Sequence, residues 1–312
     1  MLPTKNDVHT DKVLTNVLTA YRNPSWIWDQ FAPIIDTGGR ESDKYYTFPK
    51  ADWLRQDADI VAPGAPAPIS GFRISSDTFS CEEYAISAEL PDRVLNNADD
   101  VLKQNLRQSQ AIWCADQVNS KIEKKLADTV FTSDVWGTTN TTATDWDDYD
   151  SSTPIDDIET AKWTIMSNTG MDANTIVLGA EVWKDLKRNP EVLDLLGAHE
   201  RGTMTPETLA ALLDVNRILV GKASYTATKE GQSSITISKV WGQNALVAYV
   251  PSAPGIMTPA AAYTFQAQSI QGRRWREDNA SHRKTEFVEA SIILGFKLVG
   301  SDLGYYFSGI VS

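Results

Sequence analysis

Residues 92–131 read DRVLNNADDVLKQNLRQSQAIWCADQVNSKIEKKLADTVF, forty positions without a proline or a glycine. Apolar residues recur at helical spacing through Leu95, Ala98, Leu102 and Leu106, and Ala111, Ala115, Val118, Ile122 and Leu126 continue the stripe. That spacing predicts one long amphipathic helix. At 1.5 Å per residue it makes a rod of roughly 55 Å, whereas a compact domain of this length has a radius of only about 20 Å. Such a rod nearly spans its own domain and suits a subunit built to reach its neighbours.

Upstream of the rod, helical periodicity is scarce. A short amphipathic piece, Val13 to Leu18, is followed by Tyr21 to Phe31 and the turn Thr37-Gly38-Gly39. Lys44 to Ser80 is extended and carries the run Ala62-Pro63-Gly64-Ala65-Pro66-Ala67-Pro68. Prolines block helix and ladder donation alike, so this stretch reads as a long hairpin or loop. Phe79 to Leu90 alternates as a strand and leads into the rod.

Downstream, Thr132–Ser152 is rich in Thr and Asp with few aliphatics and reads as a solvated loop or small flap. Thr153-Pro154-Ile155-Asp156 then supplies an N-cap residue, a proline at the first helical position and an acid in the first turn. That helix stops at Asn168-Thr169-Gly170. A buried strand Thr175–Gly179, a helix Glu181–Lys187, a Thr205-capped helix to Leu213 and strands at Arg217–Val220, Ile235–Val240 and Ala245–Val250 follow. The end reads as antiparallel sheet: Tyr263–Gln268, Glu286–Leu294 and Tyr305–Val311. An α/β middle with a β end makes the class α+β.

Composition narrows the function. The 312 residues are 42% hydrophobic with a formal net charge of −12. A protein that grips DNA usually shows a basic face, while an acidic wall repels a polyanion and leaves it mobile. No apolar run is long enough for a membrane span, and the start lacks a signal-peptide apolar region. A soluble protein made in a cytoplasm is expected. Cys81 and Cys114 are the only cysteines, too few for a disulfide scaffold. Ten scattered tryptophans suit anchors in cores and subunit interfaces.

Chemistry-bearing motifs are sparse. His9, His199 and His282 have no zinc-ligand spacing. Gly221-Lys222 resembles the end of a phosphate loop, but Asn216 stands at the first glycine position and Ala223 replaces the Ser or Thr. Asp145-Trp146-Asp147-Asp148-Tyr149-Asp150 clusters carboxylates that suit calcium, without the glycine and closing glutamate of an EF-hand. A solvated acidic loop is the preferred reading. Arg273, Arg274 and Arg276 around Trp275 can fork onto phosphate or pair with an acidic patch of a neighbouring subunit, and the second is preferred on an acidic chain. No catalytic residue, cofactor or metal is assigned, so no enzyme is expected.

The order of elements resembles the major capsid proteins of tailed bacteriophages, the Hong Kong 97-like fold shared with encapsulin shells. The stretches that carry the resemblance are Pro154-Ile155-Asp156-Asp157-Ile158, Asn174 to Gly179 with Val182-Trp183, Thr205 to Ala210 leading to Ile218-Leu219-Val220-Gly221, and Trp241-Gly242 before Tyr249-Val250-Pro251. The resemblance implies an N-terminal arm at 1–43 and an extended loop at 44–80 that lies over an adjacent subunit. It implies a peripheral domain in two parts, 81–153 with a spine helix at 92–131, and 258–312. Between them an axial domain at 154–257 would surround fivefold and sixfold centres. Candidate assembly contacts are then Trp53, Arg55 and Asp57 in the loop, with Arg273, Arg274 and Arg276. Implied partners are other copies in pentamers and hexamers, a separate scaffolding protein (only about forty residues precede the loop), a portal protein, and double-stranded DNA enclosed without sequence-specific binding. The implied place is the virion capsid, assembled in the host cytoplasm. An encapsulin-like compartment is the alternative, and an α+β enzyme or ligand-binding protein is the third reading.

Overall fold

The structure is a computed structural model that describes residues 12–20, 26–47, 54–71, 73–97, 99–140, 144–195, 204–228, 232, 234–255, 258–276 and 284–311. In chain order it runs α1 (Lys12–Ala20), α2 (Trp28–Phe31), β1 (Ile34–Asp36), β2 (Ser42–Thr47), β3 (Ser75–Ser80), β4 (Glu82–Pro91), α3 (Asp92–Asn96) and α4 (Asp100–Val130). Next come β5 (Thr138–Asn140), α5 (Pro154–Thr169), β6 (Thr175–Gly179), α6 (Ala180–Leu186), α7 (Pro190–Leu195) and α8 (Pro206–Leu212). The chain closes with β7 (Arg217–Gly221), β8 (Ser224–Thr226), β9 (Ile237–Lys239), β10 (Ala245–Ala248), β11 (Ala262–Arg276), β12 (Thr285–Leu298) and β13 (Gly304–Phe307).

The rod is present but divided. A short helix, α3, ends at Asn96, and the 31-residue α4 starts at Asp100. Asn96 and Asn97 interrupt it because short amide side chains compete for backbone groups and favour turns over helix interiors. Leu95 is buried in α3, and within α4 burial of the stripe begins at Ala111 and continues through Cys114, Ala115, Val118, Ile122, Leu126 and Val130. Leu102, expected in that stripe, is exposed together with Val101, and Ala98 lies outside the described residues.

Two larger sheets flank α4. The first, in the order β1-β11-β12-β4, is built on the antiparallel β11–β12 ribbon. Helix α1 packs on that ribbon: Leu14 and Leu18 are buried with Ala111, Ala115, Val288 and Ala290, and Gly272 N–H donates to Thr15 Oγ1 at 3.1 Å. The second sheet runs β5-β13-β10-β6-β7. Its central strands β13, β10 and β6 are buried along their whole length and largely apolar because both faces are covered. Ile176, Leu178, Val247 and Phe307 join the core under α5–α8, while Val177, Leu246, Ala248 and Tyr306 join the core against α4.

This second sheet corrects the reading of the C-terminus. Tyr305–Phe307 does not extend the antiparallel ribbon; it pairs antiparallel with β10 and parallel with β5. The solvated flap is corrected as well. It contributes β5, and Trp136 and Trp146 are buried: Trp136 Nε1 donates to the Val130 carbonyl at 2.7 Å and Trp146 Nε1 to Asp157 at 2.9 Å. Cap chemistry was half right. Thr205 Oγ1 accepts from the Thr208 N–H, but Thr153 makes no side-chain cap bond, and Glu191 accepts from the Ile155 N–H in its place.

Candidate functional site

The expected loop is the connection of a hairpin. β2 and β3 pair in register from Ser42↔Ser80 to Thr47↔Ser75. Its root is fixed by aromatics: Phe79 stacks on Phe265 of β11 at 4.2 Å, and Tyr45 lies 5.6 Å from the same ring. Tyr45 donates its hydroxyl to Asp77 at 2.9 Å. Burial, with that carboxylate beside it, pushes the phenol up to about 12. Beyond the root, every described residue from Leu54 to Thr78 is exposed. Ile60 is 98% and Ile69 is 100% exposed, full apolar side chains that the chain leaves in water.

Of the residues named in this loop, Arg55 pairs with Asp57 at 2.8 Å, and Asp57 also accepts from Ser70, tying the two limbs together. Trp53 lies outside the described residues. The arginines lie elsewhere, eight to eleven residues along β11 from Phe265, roughly 25–35 Å at 3.3 Å per residue. Each meets a carboxylate of its own chain: Arg273 with Glu289 at 3.7 Å, Arg274 with Glu286 at 3.8 Å, and Arg276 with Asp92 at 2.8 Å. Glu286 is buried and gripped by Arg107 through two bonds of 2.8 and 2.9 Å. Trp275 stacks on Phe287. The cluster therefore braces the end of the ribbon against α3 and α4.

Glu123 was missed in the sequence. It sits on the buried side of α4 and is fully buried. Its carboxylate accepts from the backbone N–H of Ile27 at 3.1 Å, of Trp28 at 2.9 Å and from Trp241 Nε1 at 2.6 Å. The three donors come from the start of α2 and from the turn before β10. At the other end of the α2 turn, Arg217 Nη2 donates to the Gln30 carbonyl at 2.8 Å. The acceptor oxygens of Glu123 at the N-terminus and the Arg217 cation at the C-terminus of one helical turn both complement its dipole. The available signal was an acidic residue in phase with Ile122, Leu126 and Ala127.

Other candidates resolve into packing. Gly221, whose neighbourhood lacks the residues of a phosphate loop, has a packing role: a Cβ there would run into the Trp241 ring. In the acidic loop, Asp148 accepts from Ser151 Oγ at 2.6 Å and from the Asp150 N–H. Among the described residues no group of three or more His, Cys, Asp or Glu is arranged to hold a metal ion, and all three histidines lie outside them. Among the described residues no helix is long and apolar enough to cross a membrane. A cleft of about 260 Å³ is lined by Asp29, Asn174, Asn216 and Arg217 among others. Asn174 in it is spent on both backbone groups of Val250.

No family model matches the chain. It is 25% identical over 308 residues to the major capsid protein of Burkholderia phage BcepMu, covering 96% of both chains. It is 25% identical over 248 residues to the major capsid protein of Pseudomonas phage JBD67, covering 77% of this chain and 76% of that one. Among solved structures, a phage-related protein of Bordetella bronchiseptica RB50 superposes with TM-score 0.74 at 20% identity, covering 97% of this chain and 98% of that one. The capsid structure of cyanophage P-SCSP1u gives 0.58 at 11% identity, covering 92% and 89%. The virus-like particle of Pyrococcus furiosus gives 0.57 at 11%, covering 95% and 98%. By its relatives and its architecture together, the chain is similar to the major capsid proteins of phages and has their Hong Kong 97-like fold.

Proposed function

We propose that the protein is the major capsid protein of a tailed phage, a structural subunit rather than an enzyme, assembling as pentamers and hexamers into an icosahedral head around double-stranded DNA. The observation that carries this reading is the exposed loop. An isolated chain that leaves Ile60 and Ile69 bare has apolar surface suited to a neighbour. The relatives named above, major capsid proteins in both cases, support the same role.

In this reading residues 44–80 reach onto the adjacent subunit. The β11–β12 ribbon, β4 and α4 form the peripheral body, and the five-stranded sheet with α5–α8 forms the axial body. β13 then belongs to the axial body, although it follows the ribbon in sequence. Heterologous contacts close into rings of five and six, each burying the large areas of obligate interfaces. The net charge of −12 keeps enclosed DNA from adhering to the wall. A separate scaffolding protein and a portal complete the assembly, which proceeds in the host cytoplasm.

The test is expression alone and with a candidate scaffold, followed by light scattering and negative-stain microscopy. Shells or five- and six-membered rings support the reading. Closed shells that form without scaffold and carry protein cargo would favour an encapsulin-like compartment. A monomer unchanged by scaffold would overturn the shell in either form.

A further inference from the structure

Two exposed stripes lie on different parts of the five-stranded body. The first is the outer face of α5. Its inner face, Ile158, Ala161 and Ile165, is buried, whereas Asp156, Glu159, Trp163 and Met166 follow one another at helical spacing on the outside. Trp163 is 65% exposed. Lys162 bridges Glu159, at 3.1 Å, and the Leu213 carbonyl, so the N-terminal half of the face carries Asp156 and a Glu159 that already has one cation beside it. The second stripe is on the β8–β9 hairpin. Ile235, just before β9, is 74% exposed and Ile237 is 69% exposed, and Lys239 shares a face with Ile237 at the two-residue spacing of a strand, its Nζ donating to Ser224 Oγ at 2.9 Å. Lys222 at the hairpin root is also exposed, and residues 221–228 and 234–240 contain no acid.

The two stripes are separated along the sheet. Helix α5 packs over β10 and β13, whereas the hairpin continues from β7, the opposite edge of the order β5-β13-β10-β6-β7. Their lengths match: Ile235 to Lys239 spans about 13 Å at 3.3 Å per residue, and Met166 to Asp156 about 15 Å at 1.5 Å per residue. Each is apolar at one end and charged at the other, with opposite signs.

We infer that they are the two halves of one head-to-tail contact between copies of this chain. The hairpin of one subunit lies along α5 of the next, with Ile235 and Ile237 against Met166 and Trp163, and Lys239 toward Glu159 and Asp156. Two different surfaces on one subunit make a heterologous contact, which closes into rings rather than a twofold dimer. An exposed tryptophan at the centre is the residue type that dominates interface energy. The inference rests on the shell reading and adds the residues that would join axial bodies.

The experiment mixes Trp163→Cys and Ile237→Cys subunits during assembly and reads disulfide-linked dimers on a non-reducing gel, with each variant alone as the control for Cys81 and Cys114. The expected result is at least tenfold more crosslinked dimer in the mixture. In parallel, Glu159→Lys and Lys239→Glu each lower particle yield about tenfold, and their combination restores it. Circular dichroism on the unassembled chains checks that all variants fold. Mixed shells without the crosslink overturn the contact and leave the shell reading standing. If the cysteine subunits fail to assemble, the charge pair decides: restored yield supports the contact and unrestored yield overturns it. Failure of the unsubstituted chain to assemble overturns both.

Discussion

The indole N–H of Trp241 donates to Glu123 at 2.6 Å inside a core that water does not reach. This bond joins the turn before β10 to the middle of α4, and the same carboxylate holds the start of α2 through Ile27 and Trp28. Removing the donor while keeping an aromatic ring isolates the bond. Trp241→Phe should lower unfolding free energy by about 1–3 kcal/mol, the usual cost of stripping one partner from a buried polar group. Urea denaturation of the unassembled chain measures it.

Burial raises the Glu123 carboxyl from its usual 4.5 to about 7. The N–H groups of Trp241, Ile27 and Trp28 pull it down, and the charge of Asp29 adds to the rise. The folded chain therefore binds this proton more tightly than the unfolded chain. The contribution to stability is fully present below about pH 4.5 and is lost as pH rises through about 7. Melting temperature should fall between pH 5 and 8. Glu123→Gln should start lower and remove most of that slope, and the difference between the two curves isolates this group from other titrations.

Glu286 is the hub of a second junction. Glu286→Ala removes two charge-assisted hydrogen bonds from Arg107, whose side chain keeps 27% exposure, so a loss of about 1–3 kcal/mol is expected by chemical denaturation. Arg55→Ala, whose pairing with Asp57 is exposed, should change stability by under about 1 kcal/mol.

Gly221→Ala should destabilise the chain by about 1–3 kcal/mol, the cost of overpacking a filled core, because the new methyl meets the Trp241 ring. A thermal melt that matches the parent would contradict this packing.

Much of the fold was legible from local chemistry. Thr175–Gly179 is a short apolar run that only a doubly covered strand accommodates, and it is β6 with both faces buried. Pro154 opens α5, and Gly170, at φ +72°, closes it. What could not be read depended on distant partners. Tyr305–Phe307 is a strand by composition, but its membership in the second sheet depends on β10, about sixty residues upstream. Trp146 sits among acids, and nothing local tells that its ring lies against Phe307. Charge drew attention to Arg273, Arg274 and Arg276, whose carboxylates come from other elements of the same chain. The bare side chains of Ile60 and Ile69 carry more of the functional argument, and exposure is not visible in a sequence.

Replacing Ile60 and Ile69 by Asp should leave the monomer's melting temperature unchanged, since neither side chain is buried in it, and should abolish or greatly reduce particle formation. Sedimentation of the assembly reaction separates the two effects. A lowered melting temperature would mean that the loop stabilises its own subunit.

The most direct test of the shell reading is a cryo-electron microscopy reconstruction of the particles formed by the unsubstituted chain. The account predicts five- and six-membered rings of subunits in which residues 54–71 lie on an adjacent copy and bury Ile60 and Ile69. A monomer that forms no particle, or particles in which that loop stays in solvent, would contradict it.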